Sequence, residues 1–240
     1  MDKTFQSTCL FVFLMTKRYI GTSGWSYEWN LGNSLDWYLQ NSGLNAVELN
    51  MSFYRFPFPT MVRSWAKKGS ELRWVVKVHR LITHYKKLKK DSYESFQRFK
   101  QLFVPLEPSI DYYLLQLPPR YTNLSTIEAF IQNNGSEKIA VEFRDPAMFT
   151  KEIADWAKKM NILLVSIDAP QMPSHIMSSS TVYERIHGRT EWYAYHYTLD
   201  ELKEIKERIS AVQPRNLYMF FNNYSMLQNA QQMFTLFHEK

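Results

Sequence analysis

Cysteine is nearly absent from this sequence of 240 residues: Cys9 stands alone, so no disulfide can form within the chain. A chain without disulfides is typical of a reducing compartment, and we expect a cytoplasmic protein. With only 7 glycines and 10 prolines, collagen-like and linker-rich chains are excluded. The apolar run at residues 9–15 is far shorter than the roughly 20 residues that cross a bilayer, so the sequence predicts no membrane partner.

Several functional motifs are also missing. The sequence has no glycine-rich dinucleotide fingerprint, no P-loop and no nucleophile elbow, which disfavours nucleotide-cofactor enzymes and serine hydrolases. Neither sign of charge dominates, because 29 basic and 23 acidic residues leave a net charge of +6. That mild excess favours an anionic partner without selecting one. In contrast, aromatic residues are abundant at 16%, enough for a large core and an aromatic-lined pocket.

Residues 1–15 precede the first predicted strand and form a leader of doubtful status. Thr16, Lys17 and Arg18 follow the apolar run, and they do not supply the small residues of a signal-peptide cleavage site. We interpret Met15 as the natural start of the protein. On this interpretation residues 16–240 form one domain, and the leader is dispensable for folding.

Eight apolar, β-rich runs alternate with helical patterns along the rest of the chain. The predicted strands are residues 18–21, 46–49, 74–78, 112–116, 139–143, 163–167, 183–186 and 217–221. The predicted helices are residues 34–41, 60–68, 93–104, 125–133, 151–160, 199–210 and 226–237, with start signals at Ser125 and Thr198. Residues 169–180 show no helical pattern. The alternation predicts a single-domain α/β protein, a (β/α)8 TIM-like barrel with an irregular segment after strand six.

Most of the predicted strands are apolar until their last residues and then end in polar groups. Side chains two apart on a strand point to the same face. Four pairs are therefore expected to converge on the barrel axis: Glu48 with Asn50, Lys77 with His79, Glu142 with Arg144, and His187 with Arg189. In barrels of this type the active site lies at the C-terminal ends of the strands. We expect one polar pocket there, which also includes Gln116, Asp168 and Asn222.

The residue types suggest roles within this pocket. Carboxylates, a strand lysine and a histidine can transfer protons or attack a substrate, so the candidate catalytic residues are Glu48, Glu142, Lys77, Asp168 and His187. Guanidinium groups hold anions, and amides or rings orient a substrate. The candidate substrate-binding residues are Arg144, Arg189, Asn50, His79, Gln116, Asn222, Trp25 and Tyr54. The pattern favours an enzyme, a hydrolase or lyase, acting on a small or terminal phosphate- or carboxylate-bearing group.

From about Tyr19 to the C-terminus, the chain resembles the YecE-like family, a group of barrel proteins of unknown function. The resemblance rests on GTSGWSY (21–27), VELNMSFYR (47–55), residues 76–84, LQLPP (115–119), VEFR (141–144), IDAP (167–170), RIHGR (185–189) and FNN (221–223). It implies a TIM barrel, and it implies no established reaction.

The same residues allow other interpretations. The charged strand ends could form salt bridges that only close the top of the barrel. Lys77 could form a Schiff base, or a neighbouring carboxylate could neutralise it. The lysine-rich segment 84–90 could contact the phosphates of a nucleic acid, and the protein could bind a nucleic acid or a metabolite without catalysis.

A metal centre is a further alternative. Three carboxylates and two histidines at strand ends could hold zinc or manganese, as in a metal-assisted nuclease of the endonuclease IV type. However, no HxxH, HxH or Cys/His cluster is present, and Lys77, Arg144 and Arg189 would crowd a cation. We predict neither a metal nor another cofactor, and the sequence selects no oligomeric state.

Overall fold

In the computed structural model, which describes residues 16–238, eight parallel strands close into a barrel in chain order. The strands are β1 (Lys17–Thr22), β2 (Ala46–Leu49), β3 (Arg73–Lys77), β4 (Ile110–Gln116), β5 (Ile139–Glu142), β6 (Leu163–Asp168), β7 (Thr181–Ile186) and β8 (Asn216–Phe221). Strand β8 pairs with both β7 and β1, which closes the sheet. The predicted (β/α)8 barrel is therefore confirmed. The leader and the proposed start at Met15 lie outside the described residues.

Seven α-helices surround the barrel. They are α1 (Leu35–Asn41), α2 (Pro59–Lys68), α3 (Tyr93–Leu102), α4 (Leu124–Asn134), α5 (Lys151–Lys159), α6 (Leu199–Ala211) and α7 (Met226–His238) in the described chain. Residues 169–180, between β6 and β7, form no helix, as predicted. Thr198 caps α6 in a reciprocal capping box with Glu201.

The predicted cap of α4 is wrong. Asn123 accepts the backbone N–H of Thr126 at 3.0 Å, and Ser125 lies inside the helix. Asparagine and serine are comparable caps, so side-chain chemistry alone does not choose between them. The helix begins at Leu124, which packs against the core, and this burial places the start one residue before the predicted cap.

The strand register places alternating side chains in layers inside the barrel. Tyr19 of β1, Tyr218 of β8 and Tyr183 of β7 are level with one another. Tyr112 of β4 joins this layer, with its ring centre 5.2 Å from that of Tyr218. Aromatic packing thus fills the barrel toward the N-terminal ends of the strands, and the layers above it carry charged groups.

The opposite side chains of the strands pack under the helices. Trp25, just after β1, lies edge-on against Trp65 of α2 and Trp74 of β3, with ring centres 5.7 and 5.8 Å away. Strands β1 and β2 approach closely at Gly21, where a Cβ atom would lie 2.0 Å from the carbonyl oxygen of Ala46. Only glycine fits there. In the part of the chain that the structure describes, no helix is both long and apolar enough to span a membrane.

Candidate functional site

A charged cluster occupies the barrel axis above the tyrosine layer, and Arg185 of β7 lies at its centre. Its Nε and Nη2 atoms donate to the two carboxylate oxygens of Glu48 on β2, at 2.8 and 2.5 Å. Its Nη1 atom donates to Oε2 of Glu142 on β5. All three side chains are completely buried. One guanidinium therefore holds two desolvated carboxylates in a fixed geometry.

Further donors engage the same two carboxylates. The hydroxyls of Ser23 and Tyr183 donate to Glu48 at 2.8 and 2.5 Å. Arg144 donates from Nε to Glu142. Burial by itself would raise the pKa of Glu142, but the guanidinium of Arg144, and then that of Arg185, outweighs burial and lowers this pKa below its usual value. Glu142 is therefore ionised at neutral pH, which does not suit a general acid.

His187 follows β7 and lies against two guanidinium groups. Its Nε2 atom is 3.2 Å from Nη2 of Arg144 and 3.4 Å from Nη1 of Arg185. Guanidinium groups only donate, so Nε2 must be the unprotonated acceptor. Nδ1 lies 3.4 Å from the amide of Asn222. Burial, and then the positive charge of Arg144, holds the pKa of His187 well below its usual value. This geometry makes His187 a neutral group that positions the arginines.

Lys77, the last residue of β3, is 5% exposed and points into the same cluster. Within the described residues no carboxylate oxygen lies within 4.0 Å of its Nζ atom, whereas arginines engage both Glu48 and Glu142. Nζ lies 4.2 Å from the centre of the Phe53 ring. Burial, and then the charge of Arg185, lowers the pKa of Lys77 to about 7 against the opposing carboxylates. Lys77 thus titrates near neutral pH without a salt bridge.

His84, in the loop after β3, shows that the surroundings of Lys77 are electropositive. Its ring lies edge-on to Phe53, with ring centres 5.0 Å apart. Burial, and then the charges of Lys77 and Arg144, lowers the pKa of His84 to about 4. The imidazoles of His84 and His187 are therefore both neutral at pH 7, because burial, and then the neighbouring cations, oppose their protonation.

Two clefts lead from the surface toward the cluster. The smaller has a volume of about 220 Å³ and is lined by Ser23, Gly24, Trp25, Ser26, Tyr27, Leu49, Asn50, Met51, Tyr54 and Arg55. The larger, about 990 Å³, shares Ser26 and Tyr27 with it and reaches Asn222. Ser23 contacts Glu48 and Asn222 contacts His187, so each cleft ends at a residue that touches the axial cluster.

The loop after β7 folds over the cluster. Gly188 has a φ of +120°, and a Cβ atom there would lie 2.3 Å from the carbonyl oxygen of Glu191. Only glycine permits this turn. The turn brings the Trp192 ring to 5.4 Å from that of His187 and 4.4 Å from the guanidinium carbon of Arg144. The indole covers these two groups, and the side chain of Arg144 is only 8% exposed.

Two predicted pocket residues, Asp168 and Arg189, lie elsewhere. Asp168 is level with Ile186, whose side chain points to the helices, so its carboxylate is on the outer side of the barrel wall. It accepts the Tyr197 hydroxyl at 2.6 Å and lies 3.4 Å from Arg189. Arg189 also donates to Glu204 of α6 at 2.8 Å. The expectation that these residues line the axial pocket is wrong: they connect the end of β6 to α6.

The spacing rule also fails for His79. Strand β3 ends at Lys77, so the alternation of an extended strand does not reach two residues further. The His79 ring stacks on Phe56 with centres 4.6 Å apart and planes at 7°, and its Nδ1 accepts the N–H of Leu81 at 3.0 Å. His79 therefore stabilises the start of a π-helix (Leu81–Tyr85) and turns away from the axis.

The remaining predicted binding residues lie around the cluster. Gln116 of β4 is level with Glu142. Asn50 borders the smaller cleft, and its Oδ1 atom is buried without a hydrogen-bond partner in the described structure. Trp25 is 8% exposed and belongs mainly to the core, whereas Tyr54 is 58% exposed at the mouth of the same cleft. Asn50 is therefore the best placed of these to accept a hydrogen bond from a ligand.

Sequence reasoning missed Arg185, Tyr183 and Ser23. Arg185 stands two residues before His187 on the same strand face, so the spacing rule applied one pair earlier would have included it. The neighbouring Glu184 makes this assignment ambiguous from sequence, because it is also charged. In the structure Glu184 faces outward and accepts a hydrogen bond from Arg208 at 2.8 Å. Charge in a strand does not reveal which face is inside.

Across residues 16–238, no group of three or more His, Cys, Asp or Glu side chains is arranged to hold a metal ion. The reason lies in the pairing of the axial cluster. Guanidinium groups occupy the oxygens of Glu48 and Glu142 that a divalent metal would need.

Comparison with solved structures shows the same fold in two DUF72 family proteins. The protein from Enterococcus faecalis V583 has a TM-score of 0.81 and 21% sequence identity, covering 93% of this chain and 96% of that chain. The protein from Thermotoga maritima MSB8 has a TM-score of 0.80 and 26% identity, covering 93% and 100% of the two chains. No curated protein matches this chain. The family described as "Protein of unknown function DUF72", which is the YecE-like family, matches residues 19–240, and the chain therefore belongs to it.

Proposed function

We propose that this protein is an enzyme that binds a small anionic group of its substrate between Lys77 and Arg144. One observation carries the proposal. The axial cluster holds three cationic side chains (Lys77, Arg144 and Arg185) but two carboxylates (Glu48 and Glu142), which leaves one surplus positive charge when Lys77 is protonated. A surplus charge in a buried site is stabilised by a counter-ion, and a bound anion would supply it.

Arg144 is held ready for such an anion. Glu142 engages its Nε atom, His187 faces its Nη2 atom, and its guanidinium carbon lies 4.4 Å from the centre of the Trp192 ring. In the described structure the Nη1 atom of Arg144 takes part in no hydrogen bond, and these three contacts fix the position of the guanidinium group. Fixing a guanidinium in advance lowers the entropy cost of binding a carboxylate or phosphate.

Lys77 supplies the argument for catalysis. Its pKa of about 7 makes it the group of the cluster that exchanges a proton near neutral pH, whereas Glu142 and His187 are each held in one protonation state. Perturbed titratable groups at the C-terminal ends of barrel strands are typical of active sites. The proposed roles are therefore proton transfer or nucleophilic attack for Lys77 and anion binding for Arg144.

The proposal predicts anion binding linked to proton uptake. Sulfate should bind to the form with protonated Lys77, so its affinity should fall up to about tenfold per pH unit as the pH rises above about 7. Isothermal titration calorimetry with sodium sulfate at constant ionic strength would measure this. Lys77→Met should abolish the binding. Lys138→Met is the matched control, because Lys138 lies directly before β5 at the opposite end of the barrel, paired with Glu107 at 2.9 Å.

Equal sulfate affinities for wild type and Lys77→Met would contradict the proposal, as would affinities that do not change with pH. A loss of binding in Lys138→Met as well would mean that sulfate responds to overall charge. Circular dichroism of each variant would show that it is folded before binding is compared.

A second candidate function, binding of single-stranded nucleic acid, is favoured by the surface beside the pocket. The guanidinium carbon of Arg80 lies 5.8 Å from the ring centres of both Tyr54 and Tyr85. These rings are 58% and 66% exposed, and Lys87 and Lys89 are exposed nearby. Aromatic rings that can stack on bases, next to cations that can contact phosphates, are the usual components of such a surface.

Fluorescence anisotropy with a labelled single-stranded oligonucleotide tests this second function. Tyr85→Ala should weaken binding about tenfold, in line with about 1–3 kcal/mol per stacked base. Arg98→Ala removes an exposed charge on α3, away from the two tyrosines, and should have little effect. Binding that Tyr85→Ala leaves unchanged would mean that the tyrosines do not stack on the oligonucleotide.

A further inference from the structure

We propose that Lys77 is a nucleophile that forms an imine with the carbonyl carbon of a small oxo acid, while Arg144 holds the carboxylate of that acid. The inference rests on the proposed function and deepens it, since it names the class of substrate and the bond that forms. It depends on the position of Lys77 relative to the charged groups of the cluster.

An amine attacks a carbonyl only in its unprotonated form, so an ion pair with a carboxylate would suppress the reaction. The structure removes that obstacle. Arg185 takes both oxygens of Glu48, and Arg144 together with Arg185 takes those of Glu142. Lys77 is left with no carboxylate within 4.0 Å in the described part of the chain.

The remaining contact of the amine is with an aromatic ring. Nζ lies 4.2 Å from the centre of the Phe53 ring, a contact that favours the charged form of the amine. Burial and two guanidinium groups oppose that form more strongly, and the pKa of about 7 reflects the balance. A substantial fraction of the molecules then carries a neutral Lys77 amine at pH 7. For an exposed lysine the neutral fraction is on the order of a thousandfold smaller.

Arg144 determines which carbonyl compounds fit. Its guanidinium contributes to the charge field at Lys77, and the planar group is held by Glu142 and Trp192. In an oxo acid the carboxylate is bonded directly to the carbonyl carbon, so one small molecule can offer the carboxylate to Arg144 and the carbonyl carbon to Lys77. Imine formation would place this carbon on a nitrogen that, once protonated, withdraws electrons from the neighbouring bonds.

The bond changes balance as follows. The lone pair of neutral Lys77 Nζ attacks the carbonyl carbon, and the C–O double bond opens to give a carbinolamine. The oxygen then leaves as water together with the two hydrogens of the amine, and a C=N bond remains. A proton from solvent converts this imine to its iminium form. Hydride from added borohydride reduces the C=N bond to a stable secondary amine, which makes the adduct visible by mass.

The experiment uses the full-length protein with glyoxylate as the oxo acid, sodium borohydride as the trap, and formaldehyde as the carbonyl compound without a carboxylate. We expect one reduced glyoxylate adduct per chain on the peptide that contains Lys77, formed at least about tenfold faster than on the exposed Lys89. Lys77→Arg should lose this adduct but keep sulfate binding. Because Arg144 also helps to lower the pKa of Lys77, Arg144→Met should slow both reactions, and it should slow the glyoxylate reaction at least about tenfold more than the formaldehyde reaction.

Each other result overturns a stated part of the inference. Adducts spread evenly over surface lysines, or sulfate binding without an adduct on Lys77, would refute the imine and leave the proposed anion site standing. If the folded wild-type protein neither binds sulfate nor forms the adduct, the proposed function itself is refuted. Equal slowing of glyoxylate and formaldehyde by Arg144→Met would refute the carboxylate contact.

Discussion

Replacing Arg185 by methionine tests whether the axial cluster is a desolvated network of charges. Arg185 is the shared partner of two carboxylates that have no exposed surface. After the change Glu48 keeps only the hydroxyls of Ser23 and Tyr183, while Glu142 keeps Arg144. Removing one member of such a buried network costs about 3–5 kcal/mol, because a buried charge loses its compensation. A domain has about 5–15 kcal/mol in total, so the variant should fold only marginally.

The pH dependence of this loss identifies its cause. Without Arg185 the buried Glu48 carboxylate loses its counter-charge, so the folded variant accommodates the protonated, neutral form of this side chain more easily than the charged form. A folded state that holds a proton more tightly gains stability as the pH falls. The deficit of Arg185→Met should therefore be largest at neutral and alkaline pH and should shrink toward pH 5. Urea unfolding followed by the fluorescence of the seven tryptophans measures it.

Two further variants control the measurement. Arg189→Met removes a partly exposed arginine, but Asp168 keeps the Tyr197 hydroxyl at 2.6 Å and Arg208 at 3.6 Å, so the loss should stay within about 1 kcal/mol. Adding Glu48→Gln to Arg185→Met should recover part of the stability, since a neutral amide costs less to bury than a lone carboxylate. A loss below about 1 kcal/mol for Arg185→Met, or one that does not change with pH, would refute the reasoning.

Three other predictions follow from the structure. The pKa of Lys77 is about 7 in the folded protein against an ordinary 10.5, so the wild type should gain stability as the pH rises through that interval. Lys77→Met should therefore be more stable than wild type near pH 6, by at most about 5 kcal/mol, and should lose this advantage near pH 10. Urea unfolding at a series of pH values measures both trends. Gly188→Ala places an alanine at a positive φ, with its Cβ atom against the carbonyl oxygen of Glu191, so it should lower the melting temperature by several degrees and raise hydrogen exchange in residues 189–197. A stability equal to that of wild type would contradict the close contact between residues 188 and 191. Tyr197→Phe removes the hydroxyl that accepts the N–H of Gly188 and donates to the carboxylate of Asp168. The free energy of unfolding should fall by about 1–3 kcal/mol in the same assay, and an unchanged value would show that water replaces the hydroxyl.

The amino-acid sequence was sufficient to predict the architecture. Eight buried strands separated by amphipathic helices have one common parallel arrangement, and the missing helix after β6 was readable because residues 169–180 lack any helical period. It also placed Glu48, Lys77, Glu142 and His187 at the strand ends that meet on the axis. These assignments depend on local periodicity, which is a property of neighbouring residues along the chain.

Which charged side chains meet depends on how the strands assemble into the barrel. The rule of spacing two holds while the backbone is extended. It failed at His79, where the chain turns into the π-helix Leu81–Tyr85, and at Arg189, which follows the turn at Gly188 with its φ of +120°. Arg185 became the centre of the cluster because barrel closure brings β7 opposite β2, and the two Glu48–Arg185 hydrogen bonds span 137 residues of sequence. Burial and pairing are properties of the assembled barrel, and they distinguish Glu142, whose pKa is lowered by two arginines, from Lys77, whose pKa is lowered to about 7.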